Sequence, residues 1–181
     1  VDLGQTGIGD CETAPYFDGA NDFVNIYSAG LAGAFNGAAG TLMIWQKQTN
    51  SLDNTGRFSV MLQASSGNYV NIRKLTNNSS IAYYTAGGTI DYVAIGNTGN
   101  SYNQIAISWD KAADQILVYY NGSQYGITQT GVGTWAYTLT TTACAIGAAT
   151  ITPTQPFDGN LAHCALGNTA LTPAQIAELA V

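Results

Sequence analysis

Charged side chains are scarce in this sequence. Only 9% of the 181 residues are charged, about a third of the share that is usual in soluble domains. Five Lys and Arg against eleven Asp and Glu give a formal net charge of −6. Because nucleic-acid-binding proteins need clustered cations to neutralise phosphates, this composition argues against a nucleic-acid partner and against an anionic membrane.

Cysteine and histidine are also rare. The three cysteines, Cys11, Cys144 and Cys164, lack C-x-x-C spacing, so no zinc site is expected and at most one disulfide can form. Cys144 and Cys164 occupy apolar positions of alternating segments and are predicted to be small buried side chains. His163 is predicted to be structural. On a regular strand its neighbour Cys164 points to the opposite face, which excludes a Cys–His dyad.

Glutamate is nearly absent, and no apolar segment is long enough for a transmembrane helix. A retaining glycoside hydrolase needs two carboxyl groups about 5–5.5 Å apart. The two glutamates, Glu12 and Glu178, lie near opposite ends of the chain, and Asp10 with Glu12 precedes the first clear strand. We therefore expect a protein that is not an enzyme, with a glycoside hydrolase as a remote alternative.

Short β-like segments recur along the chain, each bounded by Gly, Asn or Asp, which predicts an antiparallel β-sandwich or jelly roll. The continuous apolar segment 41–47 predicts a strand buried on both faces. A three-strand meander is predicted over residues 57–62, 69–74 and 81–85.

The segments between and after these strands have distinct patterns. Residues 28–40 predict an irregular Gly/Ala-rich connection, and residues 131–142 an irregular excursion. Residues 102–120 predict a hairpin, and Asn121-Gly122 a type I′ turn after it. The chain is predicted to form one domain over residues 1–181, opening with an irregular leader at 1–14.

One helix is predicted, at residues 172–180. Thr172 is the expected N-cap, and Gln175 completes a capping box. Leu171 and Ile176 have the spacing of a hydrophobic staple. A single short helix after a long series of strands is thus expected.

The ordered motifs resemble those of a known family, the laminin G-like, concanavalin A-like jelly rolls. The similar blocks are Tyr16–Val24 ("FDG..DYV"), Thr41–Lys47 ("TISAWVK"), Tyr102–Asp110 ("WHHVALTYD"), Leu117–Gly122 ("LYVDG"), Ala145–Gly147 ("RIG"), Phe157–Gly159 ("FDG") and Leu171–Ala180 ("ALSAEEIAAL"). The resemblance implies an all-β fold of two antiparallel sheets with one short C-terminal helix. The chain departs from the family at Ala162 and His163, which replace an acidic pair.

The resemblance also implies a kind of function. Such modules bind carbohydrate or protein, and they occur in secreted adhesins, carbohydrate-active enzymes and phage virion proteins. We expect a non-catalytic, carbohydrate-binding module that is extracellular or on a virion surface. The alternative is a structural decoration or fibre protein of a virion or cell surface, which packs against neighbouring subunits or its own copies.

Aromatic side chains are the candidate ligand contacts, because sugars are held by ring faces together with amide hydrogen bonds. Trp135 and Tyr137 lie in the irregular excursion. Tyr83 and Tyr84 are adjacent on a predicted strand, so one of them must face outward. Trp45 is either a core residue or faces the open side of its sheet.

Calcium is the one cofactor that the resemblance suggests, since the family often uses loop carboxylates and carbonyls as ligands. Asp18, Asp22 and Asp158 are the candidate ligands, because the first and last motifs should lie close together. Capping of turns by these side chains is the favoured interpretation.

Overall fold

The computed structural model describes residues 2–8, 12–50 and 52–180, with the backbone alone for residues 2–6. Within these residues the chain forms thirteen strands and two short helices. In chain order they are β1 (Asp2–Thr6), β2 (Thr13–Asp18), β3 (Val24–Asn25), α1 (Ala29–Ala34), β4 (Ala39–Gln48), β5 (Arg57–Ser65), β6 (Asn68–Lys74), β7 (Ser80–Ala86), β8 (Thr89–Gly96), β9 (Asn103–Asp110), β10 (Gln115–Tyr120), β11 (Ser123–Gln124), β12 (Cys144–Ile146), β13 (Asp158–Gly167) and α2 (Pro173–Glu178).

The strands pair antiparallel in two sheets. The first sheet has seven strands in the order β1-β2-β13-β4-β9-β10-β11, and the second has six in the order β3-β12-β5-β6-β7-β8. Strands from both ends of the chain lie side by side in the first sheet, whereas β5 to β8 form a meander in the second. The predicted two-sheet antiparallel sandwich is confirmed.

The apolar core lies between the sheets, and β4 shows why its segment is continuously apolar. Leu42 and Ile44 are buried in the core. Met43 points to the outer face of the first sheet, where it packs in a second cluster with Tyr119 and Ile176 of helix α2. The prediction that this strand is buried on both faces is confirmed at Met43, but not at Trp45, which is half-buried, or at Lys47, which is exposed.

Helix α2 covers that outer face and is capped as its sequence predicts. The Thr172 side chain accepts a hydrogen bond from the Gln175 N–H at 3.4 Å, and the Gln175 side chain accepts from the Thr172 N–H at 2.9 Å. Ile176 is fully buried, and Leu171 packs on the same cluster. Burial of an isoleucine contributes about 1.5–3 kcal/mol, so this one side chain anchors the helix.

A second helix, α1, lies within the segment predicted to be an irregular connection, so that prediction is wrong for residues 29–34. Ser28 is its N-cap and accepts a hydrogen bond from the Leu31 N–H at 2.9 Å. Gly30 and Gly33 lower the helix propensity, which hides the helix from pattern analysis. No helix in the described ranges is both long and apolar enough to cross a membrane.

Strand β8 extends the predicted three-strand meander to four strands. Val93 and Ile95 face the core, and Ile90 and Tyr92 are exposed. Asp91 lies on the inward side, where it is 6% exposed. This carboxyl interrupts the apolar side of the alternation, which is why the strand was not predicted.

The N-terminal residues are not an irregular leader in the part that the structure describes. Strand β1 pairs with β2, with Gln5 opposite Ala14 and Thr6 opposite Thr13. The polar sequence of β1 has no alternation, so its extended form depends on the neighbouring strand. Asp10 and Cys11 lie outside the described residues, and with them any pairing of Cys11.

Candidate functional site

Tyr83 and Tyr84 are separated by strand β7, as their adjacency requires. Tyr84 is fully buried against Trp109, with 5.6 Å between ring centroids, and its hydroxyl donates to the Gly37 carbonyl at 2.6 Å. Tyr83 is half-buried on the outer face of the second sheet. Of the two predicted candidates, Tyr83 is therefore accessible and Tyr84 is a core residue.

Tyr83 is the middle member of a stack of three tyrosines on neighbouring strands. Its ring centroid lies 5.3 Å from that of Tyr69 on β6, with 3° between the ring planes. On the other side it lies 5.8 Å from Tyr92 on β8, with 15° between the planes. Tyr92 stands directly opposite Tyr83 in the strand register, and it is 53% exposed. The stack thus runs across the strands toward the edge of the sheet.

Asn71 lies in the same row as Tyr83, opposite it on β6, with Met61 on the other side. The Asn71 side chain is fully buried, and neither its amide oxygen nor its amide nitrogen has a hydrogen-bond partner. Buried polar atoms in proteins are nearly always hydrogen-bonded. The unsatisfied amide of Asn71 is therefore a buried group that costs stability, and a ligand resting on the face would not reach it in this structure.

The only charged side chain in the outward register of β5 to β8 is Arg73. We call the outward side chains of these four strands the tyrosine face: Phe58, Met61, Gln63, Tyr69, Asn71, Arg73, Ile81, Tyr83, Thr85, Ile90, Tyr92 and Ala94. The Arg73 guanidinium lies 5.1 Å from the Phe58 ring centroid and 5.4 Å from that of Tyr83. Its Nε is buried without a hydrogen-bond partner.

The electrostatics of the face follow from this packing. Burial, together with the neighbouring Tyr69 hydroxyl, raises the pKa of Tyr83, so its hydroxyl stays protonated at neutral pH. Asp91 faces the opposite way, and burial and the Asp114 carboxylate raise its pKa. The tyrosine face therefore presents hydroxyls, amides and one cation, with no carboxylate among its side chains.

The other predicted aromatic contacts lie elsewhere. Trp135 packs on Phe35, with centroids 5.0 Å apart, and its Nε1 donates to the Tyr137 carbonyl at 3.2 Å. Tyr137 is 77% exposed on the irregular loop. Trp45 is half-buried on the outer side of the first sheet. Of the five predicted contacts, only Tyr83 belongs to the tyrosine face, and the five residues do not form one site.

The three candidate calcium ligands are already engaged. Asp18 accepts hydrogen bonds from the N–H groups two and three residues on, at 2.8 and 3.4 Å, and Asp22 accepts from the Asp18 N–H at 3.1 Å. Asp158 accepts from the Tyr16 hydroxyl at 3.2 Å and from the Asn50 amide at 2.8 Å. Among the described side chains, no three His, Cys, Asp or Glu converge as metal ligands. Asp18 and Asp22 thus cap a turn and Asp158 holds two distant side chains, and calcium binding by these carboxylates stays a prediction.

A buried ion cluster lies at one end of β5. Arg57 donates to the Asp53 carboxylate at 3.1 and 2.6 Å and to the Pro156 carbonyl at 3.0 Å. The fully buried Lys74 ammonium donates to the Asn50 carbonyl at 3.0 Å and to Asp53. Burial raises the pKa of Asp53, but hydrogen bonds from Lys74 and Arg57 outweigh it and lower the pKa from 3.8 to about 2. Arg57 and Lys74 are therefore both paired with acceptors of the protein itself.

His163 lies at a bulge in β13, where one extra residue separates Ala162 from Ala165 relative to β4. It has a φ of 45°, so the regular alternation assumed for His163 and Cys164 is wrong at this point. Both line a cavity of about 370 Å³ between the two sheets. Burial raises the pKa of Cys164 to about 12, which keeps this thiol protonated and unreactive. Cys144 is fully buried, as predicted, whereas Cys164 is only partly buried in accessible surface, which differs from the prediction.

Two antiparallel sheets with these strand orders define a concanavalin A-like β-sandwich. The sequence matches the family model of the concanavalin A-like lectin/glucanase superfamily over residues 18–177. The chain belongs to this superfamily, which confirms the family predicted from the sequence motifs. No curated protein matches the chain.

Several solved structures share the fold at low sequence identity. The CBM40 of the Ruminococcus gnavus IT-sialidase is 13% identical, with a TM-score of 0.70 over 93% of this chain and 95% of that one. Domain 4 of an extracellular arabinanase from Geobacillus stearothermophilus, in complex with arabinotriose, is 17% identical, with a TM-score of 0.68 over 98% and 82%. A SAP-like pentraxin from Limulus polyphemus is 16% identical, with a TM-score of 0.59 over 80% and 70%.

Proposed function

We propose that this protein is a non-catalytic carbohydrate-binding module whose binding surface is the tyrosine face. The observation that carries the proposal is the stack of three tyrosines, whose outermost member, Tyr92, is 53% exposed. Sugar rings present C–H groups that pack on aromatic rings, and their hydroxyls need donors and acceptors such as a phenol. The tyrosines supply both on one face of the sheet.

The fold comparisons support the same class of ligand. The Ruminococcus gnavus CBM40 is also known in complex with α2,3-sialyllactose, and the arabinanase domain in complex with arabinotriose. Each is a sugar-binding sandwich of similar size. We infer that this chain is likewise displayed outside the cell, where polysaccharides and glycoconjugates are found, and that its partner is a glycan.

The proposal is tested by screening the purified protein on a glycan array and measuring the affinity of a retained sugar by calorimetry. Tyr83→Ala removes the central ring, and we expect about tenfold weaker binding because ring contacts are worth about 0.5–1.5 kcal/mol. Tyr137→Ala, which removes an exposed ring outside the face, is the matched control and should bind as the unmodified protein does.

Three outcomes contradict parts of the proposal. Loss of binding in Tyr137→Ala with full binding in Tyr83→Ala places the site on the irregular loop instead. Loss of binding on adding EDTA contradicts a metal-free site, which is expected because the candidate carboxylates are engaged. Retention of no sugar, together with self-association in sedimentation, favours the structural alternative of a subunit that packs in a virion or surface layer.

A further inference from the structure

The tyrosine face differs in charge from the rest of the molecule. The chain has a formal net charge of −6. Of the charged residues on β5 to β8, Arg57, Lys74 and Asp91 lie in the inward register, and Arg73 lies outward. A ligand that carries a negative charge therefore meets one cation and no carboxylate side chain on this face.

Arg73 and Arg57 show how differently two guanidinium groups of one sheet are satisfied. Arg57 has two hydrogen bonds to Asp53, one to a backbone carbonyl and a further carboxylate, Asp158, at 3.7 Å. Arg73 makes no ion pair with any residue that the structure describes, and its buried Nε has no acceptor. Leaving a buried charged donor unpaired is costly, whereas a carboxylate can accept two parallel hydrogen bonds from a guanidinium.

The position of Arg73 fits a carboxylated ligand at the tyrosines. Its guanidinium packs against the rings of two residues, and since Nε is buried, the terminal Nη groups are the ones that a ligand can contact. Tyr69 and Tyr92 cover the two faces of the Tyr83 ring, but its edge is accessible. The distance of 5.4 Å from the guanidinium to the Tyr83 centroid means that a sugar residue resting on that edge can bring its carboxylate to Arg73.

We propose that the glycan recognised by this face is an acidic sugar, whose carboxylate binds the Arg73 guanidinium while its ring rests on the exposed edge of the tyrosine stack at Tyr83. This inference rests on the proposed carbohydrate-binding function and narrows it to carboxylated sugars. Two sources share that chemistry: uronic acids within a polysaccharide chain, and sialic acid at the end of a glycan.

The test is calorimetry with paired ligands that differ in charge: oligogalacturonate against its methyl ester, and sialyllactose against its methyl ester. We expect at least one carboxylated ligand to bind about tenfold or more tightly than its uncharged partner, the size of one charge-assisted contact. Whichever of the two pairs shows the preference identifies the source of the carboxylate, a uronic acid or a sialic acid.

Variants assign the preference to a residue. Arg73→Gln should abolish the preference for the charged ligand and retain binding of the uncharged one. Arg73→Lys should keep part of the preference, because lysine retains the positive charge but lacks the paired N–H donors of the guanidinium. Lys47→Gln is the matched control. It changes the net charge equally but removes a cation of the first sheet, which lies over Tyr102 at 5.6 Å, and it should leave the preference intact.

The outcomes separate this inference from the proposed function. Equal affinity for charged and uncharged sugars, reduced by Tyr83→Ala, overturns the role of Arg73 and leaves carbohydrate binding in place. A charge preference that survives Arg73→Gln also overturns it. Failure of every sugar to bind the folded protein overturns both. A thermal unfolding curve for each variant checks that the variant is folded before its affinity is compared.

Discussion

The outer faces of the two sheets are completed in different ways. On the first sheet, helix α2 covers the surface with Ile176, which packs on Met43 and Tyr119. On the second sheet no helix lies over the tyrosine face, and Asn71 and Arg73 keep buried polar atoms without partners. The contrast indicates that the first face is built for stability, whereas the second retains buried polar groups that cost stability.

The covered face should be the more sensitive to mutation. Ile176→Ala removes the anchor of α2 and should lower the free energy of unfolding by about 3 kcal/mol, as is usual for a fully buried isoleucine. Urea unfolding measures this, and Glu178→Ala on the exposed side of the helix serves as the control. A loss of less than about 1 kcal/mol contradicts a structural role for the helix as a cover.

The open face should respond in the opposite direction. Asn71→Leu replaces an unsatisfied buried amide by an apolar side chain of similar size, and should raise the free energy of unfolding by about 1 kcal/mol. Asn68→Leu is the control. Its buried amide is fully used by Ser65, Gly87 and Ala136, so that variant should be destabilised. Destabilisation of both variants alike removes the contrast between the faces.

The third prediction uses pH to compare the paired arginine with the unpaired one. The pKa of Asp53 falls from 3.8 to about 2 on folding, so its contribution to stability is complete above about pH 4 and is lost as the pH falls toward 2. The effect should be about 1 kcal/mol, because Asp53 is partly exposed and solvent screens the pair. Thermal unfolding from pH 5 to pH 2 measures it.

Asp53→Asn is the control for this pH dependence and should flatten the stability profile over the same range. Arg73→Gln, by contrast, should leave the profile unchanged, since Arg73 has no carboxylate partner in the described part of the chain. An equal effect of both variants on acid stability would show that Arg73 has an acidic partner after all.

Features fixed by local chemistry were predictable from the sequence. Two examples are the capping box of Thr172 and Gln175 and the continuous apolar segment of β4. Both could be predicted because each depends on residues that are close together in the sequence. Strand β8 and helix α1 were missed for local reasons too. An inward Asp91 broke the alternation of the strand, and two glycines weakened the pattern of the helix.

The site was less predictable, because its members meet only through strand pairing. Adjacency required Tyr83 or Tyr84 to face outward, but nothing local shows that Tyr69 and Tyr92 stack on Tyr83. The unsatisfied state of Asn71 depends on what surrounds it, which the sequence does not contain. The bulge at His163 likewise follows from the register of β13 against β4.

The direction of the tyrosine stack has a consequence for the length of a bound polymer. The rings step from strand to strand, and Tyr92 belongs to β8, the last strand of its sheet. Adjacent strands are about 4.8 Å apart, so the stack is about as long as two sugar residues and ends at an open margin. Under the proposed function, a longer polysaccharide would extend past that margin, so internal stretches of a chain as well as its ends would fit the stack.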